Sequence, residues 1–561
     1  MTASKLDLDP GVIAECHDAA RQIAGQVAAE IEGKTSVSVE RTVARLLGVD
    51  GANELEVPLP NVLVDHVRDR GELGKGIGYW LGNAFVSTSH DTPHPDPNPT
   101  DPNKSQHAAA NTSLGSDHHP PNTAQQIAEA VDRGELELCE LPRAGDEAIG
   151  ERIRNECEQR LHEIAARMGE RRELRERLGE SPPPLKYVLT ATGNVYEDVV
   201  HALAVAQAGG DIVAVIRSTA QSLLDYVPYG PTTEGYGGTF ATQANFAIMR
   251  EALDEWSKEH GRYVRLSSFC SGLCMPEIAA MGAIEGFDNM VNDALYGILY
   301  RDINPVRGLI DQRVSRMVNG WFGVVINTGE DNYLRTADAM QAAPSVTASQ
   351  FINRQLALDS GVPDEQIALG DAFEIDTPVV NGLLYEWAQA QLTRELFPEC
   401  PVKYMPPTRH MDGNLYRTHA ADSLFNLVTI ATGQGIQTIG VPTEGIFTPH
   451  VHDRVIGLEN VNYTFTAARD LGEEIEFKPG GIIQTRAQEV LAGAHETLER
   501  IAEEGLFAAL GEGVFGNVRR DVGEGRGIEG IVQTDPGYIN PVIELMRGAS
   551  SPKSSPSPSH V

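Results

Sequence analysis

The chain has 561 residues, 41% of them hydrophobic, and a formal net charge of −34. That is enough apolar sequence for one large core, yet no run approaches the roughly 20 apolar residues of a membrane span. So acidic a composition leaves no basic stripe to neutralise nucleic-acid phosphates. Excess Asp and Glu with only nine lysines fits a surface adapted to high salt. MTASKLDLDPG at the amino terminus lacks the basic-then-apolar order of a signal peptide, so a cytoplasmic protein is expected, with Cys16, Cys139, Cys157, Cys270, Cys274 and Cys400 reduced.

In chain order, residues 7–48 carry apolar positions at three- and four-residue spacing and read as helical within an amino-terminal helical region, 1–87. Residues 88–122 are dense in Pro, Asp, Asn and Ser, nearly without aliphatics, and read as a disordered insertion. Charged helical sequence fills 123–180, and Ser181–Pro184 closes it. From there short aliphatic runs alternate with amphipathic stretches. Strands are predicted at Tyr187–Ala191, Ile212–Ile216, Tyr263–Ser267, Phe287–Val291, Phe322–Ile326, Ile367–Leu369, Val402–Tyr404 and Ile436–Val441. Helices are predicted at Tyr196–Ala208, Thr239–His260, Ser345–Leu358, Gly382–Phe397 and Thr418–Thr432. Eight such units define an α/β fold, a (β/α)8 TIM barrel over 181–475, with a carboxyl-terminal accessory region (476–547) and a disordered tail (548–561). A doubly wound open sheet is the alternative.

A barrel gathers its site at the carboxyl ends of its strands. Here these carry Arg217 and Ser222 after the second strand, Ser268, Cys270 and Ser271 after the third, and Asn292, Asp293, Tyr296 and Arg301 after the fourth. Asn327, Glu330, Asp331 and Asn332 follow the fifth, Lys403 lies at the seventh, and Glu444 follows the eighth. Cations and hydroxyls hold phosphate, a tyrosine offers a ring face, and carboxylates meet ammonium groups. The set suits a zwitterionic substrate with a phosphorylated cofactor. Three other patterns carry no chemistry. Gly511–Gly516 matches G-x-G-x-x-G but follows helix-like sequence and reads as a turn. His450 and His452 lack a third metal ligand and read as loop residues, and Cys270 and Cys274 read as small buried hydrophobes.

Several long motifs resemble one family. They are VSVERTVARLLGVDG (Val37–Gly51), ATGNVYED (Ala191–Asp198), IRSTAQSLLDYVPYGPTTEGYGGTFATQ (Ile216–Gln243), CSGLCMPEIAAMGA (Cys270–Ala283), NDALYGILYRDIN (Asn292–Asn304), NTGEDNYL (Asn327–Leu334) and KYMPPT (Lys403–Thr408). The chain resembles the alpha (large) subunit of lysine 5,6-aminomutase. The resemblance implies an isomerase using pyridoxal 5'-phosphate and adenosylcobalamin, which moves the terminal amino group of D-lysine or L-β-lysine from C6 to C5 by a radical 1,2-shift in lysine degradation. It implies that Arg217 and Ser222 hold the cofactor phosphate region, Ser271 bonds the pyridine nitrogen, and Tyr296 packs on the ring. Arg301, Asp331 and Asn332 would surround the cofactor and its hydroxyl, with Lys403 and Glu444 receiving the carboxylate and amine of the amino acid. Tyr296, Asp331 and Lys403 are the residues expected to take part in catalysis. A neutral hydroxyl at the pyridine nitrogen does not enforce a full pyridinium, which suits radical chemistry better than transamination.

The cobalamin signature D-x-H-x-x-G appears nowhere in the chain. The family places both cobalamin and the Schiff-base lysine on a separate beta subunit, so the resemblance implies an α2β2 hetero-oligomer acting on a small amino acid; charge, hydropathy and ligand spacing give no expectation of nucleic acid, membrane or a metal site in this chain. Ornithine 4,5-aminomutase is a near neighbour. A self-sufficient pyridoxal-phosphate barrel, with Lys403 forming the Schiff base, is a second alternative, and a non-catalytic scaffold a third.

Overall fold

The computed structural model describes residues 4–88, 121–215, 220–335, 337–371, 379–406 and 411–548. The insertion read from sequence (apart from its ends), the carboxyl-terminal tail from residue 549 on, and Arg217 lie outside the described residues, as does the side chain of Asp331.

Eight parallel strand positions form one closed sheet. They are β1 (Leu185–Leu189), β2 (Ile212–Val215), β3 (Arg265–Phe269), β4 (Asn289–Val291), β5 (Val325–Asn327), β6 (Ile367–Ala368 continued by Gly370–Asp371), β7 (Lys403–Tyr404) and β8 (Ile436–Thr438). The hydrogen-bonded order runs from Ile367–Ala368 back through β5 to β1, on to β8 and β7, and ends at Gly370–Asp371. Its two ends flank the single residue Leu369, so β6 pairs with β5 through one half and with β7 through the other, and the barrel closes. An open doubly wound sheet is thereby ruled out. All eight predicted strands are present, with bounds shifted by a few residues. The break in β6 is satisfied from the neighbouring loop, where Thr328 Oγ1 and Glu330 Oε2 each accept from the Gly370 amide at 3.0 Å.

Alternation along each strand sorts side chains between the barrel interior and the helical ring. Leu185, Tyr187, Ile212, Ala214, Ala368 and Ile436 form the inner apolar cluster, and Tyr187 Oη meets Ser267 Oγ at 3.2 Å. Val213, Val215 and Leu266 belong to the outer core beneath the helices. The helices are stopped by local chemistry. Asn194 caps Val195–Gln207, Thr242 caps Gln243–His260, and Gly261 ends the latter in the left-handed region at φ +66.

The chain ends wrap the barrel. Pro10–Ile31 packs against Ala339–Leu358 and Ile482–Glu504. The helical reading of 7–48 is broken at Gly33, where φ is +67 and the strand Lys34–Ser36 begins, paired antiparallel with Ile531–Gln533. Tertiary pairing with a segment some 500 residues away overrides the local helical pattern there. The G-x-G-x-x-G match is the end of the helix Leu506–Glu512 and a turn with Gly513 and Gly516 at positive φ. His450 stands in the loop as the cap of the helix Val451–Ala467, its amide donating to Asp453 Oδ2 at 3.2 Å, whereas His452 lies inside that helix and is not a loop residue. Among the described residues no helix is long and apolar enough to cross a membrane, and no cluster of His, Cys, Asp or Glu could hold a metal ion.

Candidate active site

Two polar groups of side chains sit on the carboxyl-end rim of the barrel, one over β2–β4 and the other over β7, β8 and β1. The first is built by close backbone approaches. Ser222 lies in the 3-10 turn Gln221–Leu223, and Ser271 follows β3; both are buried. Between them Gly272 adopts φ +83, and a Cβ there would stand 2.7 Å from the Ser222 carbonyl oxygen. The Leu273 amide donates to that carbonyl at 3.3 Å. Gly297, on the helix Ala294–Arg301, would put a Cβ 3.1 Å from Gly272 Cα. Gly272 leaves room for glycine alone, Gly297 makes a tight approach to it, and together they press the Ser222 turn, the Ser271 turn and the Tyr296 helix into one block.

Asp293 orients that helix. Its carboxylate accepts from the amides of Leu295 (3.0 Å) and Tyr296 (3.1 Å) and from Tyr333 Oη (3.0 Å). Burial, partly offset by Arg316 and these hydrogen bonds, raises the Asp293 carboxyl to about 6. Asp293 therefore works as a helix cap and not as a ligand group. Tyr296 is 5% exposed and packs edge-on to Phe269, at the end of β3, with ring centroids 5.5 Å apart. The Arg301 guanidinium lies over the Tyr296 ring at 5.1 Å and donates from Nη2 to Tyr296 Oη at 2.8 Å. Its Nε is buried without a hydrogen-bond acceptor among the described residues. A hydroxyl pair, a ring face and a guanidinium with a spare buried donor fit a planar ring bearing anionic and hydroxyl substituents. Asn332 sits in the turn after β5, its Nδ2 donating to Gly329 O at 3.3 Å.

The second group begins inside the barrel wall. Tyr404 faces outward, bonding Glu386 and packing on Phe425, so its neighbour Lys403 faces the interior, where it is 5% exposed. Lys403 is thus a residue of β7 itself and not of the loop beyond it. Glu444 follows β8 and lines a cavity of about 190 Å³ with Leu189, Ile439, Val441, Phe447 and Arg454. Two residues near it were not anticipated from sequence. Arg454 is buried, donates from Nε to Leu189 O at 2.6 Å, and reaches Pro449 O and His201. Asp422, on the helix Leu415–Thr432, is 3% exposed, and its carboxylate lies against Gly440 where a Cβ would displace it. Burial first, and then the charge of Glu444, push the Asp422 carboxyl up to about 8. Spacing gave no signal for either residue, because each is set by helix packing across the barrel.

Cys270 and Cys274 are buried as expected and are also hydrogen-bonded, with Cys270 Sγ donating to Met275 O at 3.1 Å. Cys274, at φ +65, points its thiol at Leu224 O, 3.5 Å away.

Fold and rim together define an α/β-barrel enzyme with its site at the strand ends. The family model described as the D-lysine 5,6-aminomutase TIM-barrel domain of the alpha subunit matches residues 6–95 and 103–545. The lysine 5,6-aminomutase alpha subunit of Fusobacterium nucleatum is 48% identical over 545 residues, 97% of this chain and 99% of that protein. Its counterpart in Acetoanaerobium sticklandii is 48% identical over 543 residues, 97% of this chain and 98% of that one. The D-ornithine 4,5-aminomutase subunit beta of A. sticklandii is 26% identical over 377 residues, 64% of this chain and 50% of that protein. The chain belongs to the lysine 5,6-aminomutase alpha-subunit family and is an isomerase subunit of the aminomutase class.

Proposed function

We propose that this chain is the subunit that cradles pyridoxal phosphate and substrate in an aminomutase moving the terminal amino group of lysine, as D-lysine or L-β-lysine, from C6 to C5. Identity to lysine enzymes along nearly the whole chain, against 26% over part of an ornithine enzyme, favours lysine as substrate. The observation that carries the cofactor reading is the block of Ser222, Ser271, Tyr296 and Arg301 held together by Gly272 and Gly297. Ser222, with Arg217, takes the phosphate region, Ser271 faces the pyridine nitrogen, and Tyr296 covers the ring. Arg301 and Asn332 serve the ring substituents, a role we extend to Asp331. When bound, pyridoxal phosphate supplies a conjugated carbonyl that takes up an amino group, and adenosylcobalamin supplies a carbon radical. The chain's own residues orient the substrate and keep water out. Lys403 meets the carboxylate inside the barrel, and Glu444 meets the ammonium in the β8–β1 cavity, next to an Asp422 that holds its proton at neutral pH and so does not compete as an anion.

A partner subunit completes the site, bringing cobalamin and the lysine that attaches pyridoxal phosphate, in an α2β2 assembly. Support for a partner over the mouth comes from exposed aromatic and aliphatic side chains on its loops and, for Tyr416, on the first turn of the helix Leu415–Thr432. Tyr229 and Tyr236 are 60% and 85% exposed after β2, Val380 is 80% exposed after β6, and Tyr416 is 91% exposed after β7. Apolar side chains left facing water around a barrel mouth favour a partner that covers them. Borohydride reduction of the assembled complex followed by peptide mass spectrometry tests the division of labour. Cofactor fixed to a lysine of the partner is expected. Cofactor fixed to Lys403 would show instead that this chain forms the Schiff base by itself. Lys403→Ala should keep the cofactor but weaken lysine use by about tenfold to a hundredfold, the worth of one charge-assisted contact at roughly 1.5–3 kcal/mol.

A further inference from the structure

We propose that Asp225 is a positioning residue that holds the Ser222 turn in the cofactor site, anchored by two buried arginines from outside the barrel mouth. The inference rests on the reading of Ser222 as a cofactor ligand and adds to it the element that sets its place.

Asp225 lies three residues past Ser222. Its Oδ1 accepts from Arg41 Nη2 at 2.7 Å and from Arg307 Nη2 at 2.8 Å, and its Oδ2 accepts from Arg307 Nη1 at 2.9 Å. Arg41 belongs to the amino-terminal helix Val37–Leu46 and Arg307 to the barrel helix Pro305–Phe322, and both are buried. Each arginine has a carboxylate of its own. Arg41 Nε donates to Glu277 Oε1 at 2.8 Å, and Arg307 Nε donates to Asp311 Oδ2 at 2.9 Å. Both guanidinium groups are therefore already paired on their Nε side, and the fork left over is turned to the loop. A guanidinium fork gripping a carboxylate from two sides fixes the direction as well as the distance of the chain that bears it.

The surroundings close the grip. Arg307 Nη1 also donates to Gly527 O at 3.0 Å, which brings in the carboxyl-terminal segment, and the Cys274 thiol bonds Leu224 O beside Asp225. Burial alone would raise the Asp225 carboxyl, but Arg307 and Arg41 hold it well below the usual carboxylate range. On the near side of Ser222, Gln221 exchanges two hydrogen bonds with Ala241, at 2.7 and 2.8 Å. Ser222 is thus pinned from both flanks, and the downstream pin is held jointly by the helix of the Val37–Gly51 motif and the barrel helix Pro305–Phe322. That motif forms a buried helix behind the mouth, and the link through Asp225 gives it a part in the site.

The test is a titration of pyridoxal phosphate into the full-length chain assembled with its cobalamin-binding partner, followed by absorbance, with thermal unfolding measured in parallel. Asp225→Asn should weaken pyridoxal phosphate binding at least tenfold. Arg45→Gln is the control for stability alone, since Arg45 pairs with Glu277 on the far side and not with Asp225. It should lower the melting temperature while leaving cofactor affinity within twofold of wild type. Should Asp225→Asn not fold, Arg41→Lys keeps the buried charge, loses the fork and should weaken the cofactor in the same sense. Unchanged affinity in Asp225→Asn (or in Arg41→Lys where that variant decides), or an equal loss in Arg45→Gln, overturns the proposal. A wild-type complex that does not bind pyridoxal phosphate refutes the cofactor reading instead.

Discussion

Replacing Asp422 by Asn should make the protein more stable in alkali and leave it unchanged in acid. Asp422 is 3% exposed, its Oδ1 has no hydrogen-bond partner among the described residues, and Glu444 adds a like charge. Together these raise the carboxyl from 3.8 to about 8. Each pH unit of such a shift is worth about 1.4 kcal/mol, so the full penalty for charging Asp422 in the folded state is on the order of 5 kcal/mol. The direction follows from linkage. The folded chain holds this proton more tightly than the unfolded chain, so the group costs nothing below its unfolded value of 3.8. Its cost grows as pH rises toward about 8 and is constant beyond. Asn carries no charge at any of these values. Urea unfolding of wild type and variant at about pH 4, 6 and 8.5 should show a difference that starts near zero and grows to several kcal/mol in favour of the variant. Because Asp422 is already neutral at pH 7, lysine affinity there should stay within about threefold, a change worth less than 1 kcal/mol. A stability difference of the same size at all three values would refute the reasoning, since it would place the effect in packing and not in the proton.

Gly272→Ala should cost about 1–2 kcal/mol for the left-handed backbone and a further 1–3 kcal/mol for the clash with Ser222. It should also lower pyridoxal phosphate affinity, read by thermal melting and cofactor titration, because the displaced atom is the carbonyl of a candidate ligand. Removing residues 91–119 should leave folding and partner-dependent activity intact, because a stretch of Pro, Asp, Asn and Ser has nothing to add to a core. The family match itself skips 96–102. Loss of the cooperative melting transition in the shortened chain would show that the segment is structural.

The barrel was legible because parallel strands buried on both faces read as aliphatic runs, and IVAV at 212–215 is wholly buried. The fracture of β6 at Leu369 was not, since it depends on Thr328 and Glu330 reaching across from β5. The strand-end rule also assembled most of the rim, and Ser222, Ser271, Tyr296 and Arg301 do pack together. What sequence could not show was which polar residues are already committed. Asp293 and Glu330 sit at strand ends like ligands, yet one caps a helix and the other satisfies a strand break. Asp225 lies inside a quoted motif, but its partners Arg41 and Arg307 are 184 and 82 residues away. His452 was misread because two histidines just after Pro449 give no sign of the helix that begins at Val451 and is capped by His450.

The most direct test of the account follows one nitrogen atom. The chain, assembled with its cobalamin-binding partner and both cofactors, is given D-lysine isotopically labelled at the terminal nitrogen, and the product is read by NMR. The account predicts that the label moves to C5, giving a 2,5-diaminohexanoate, and that the chain without its partner makes none. Turnover by the isolated chain would contradict it, and so would a product whose labelled nitrogen has been lost to solvent.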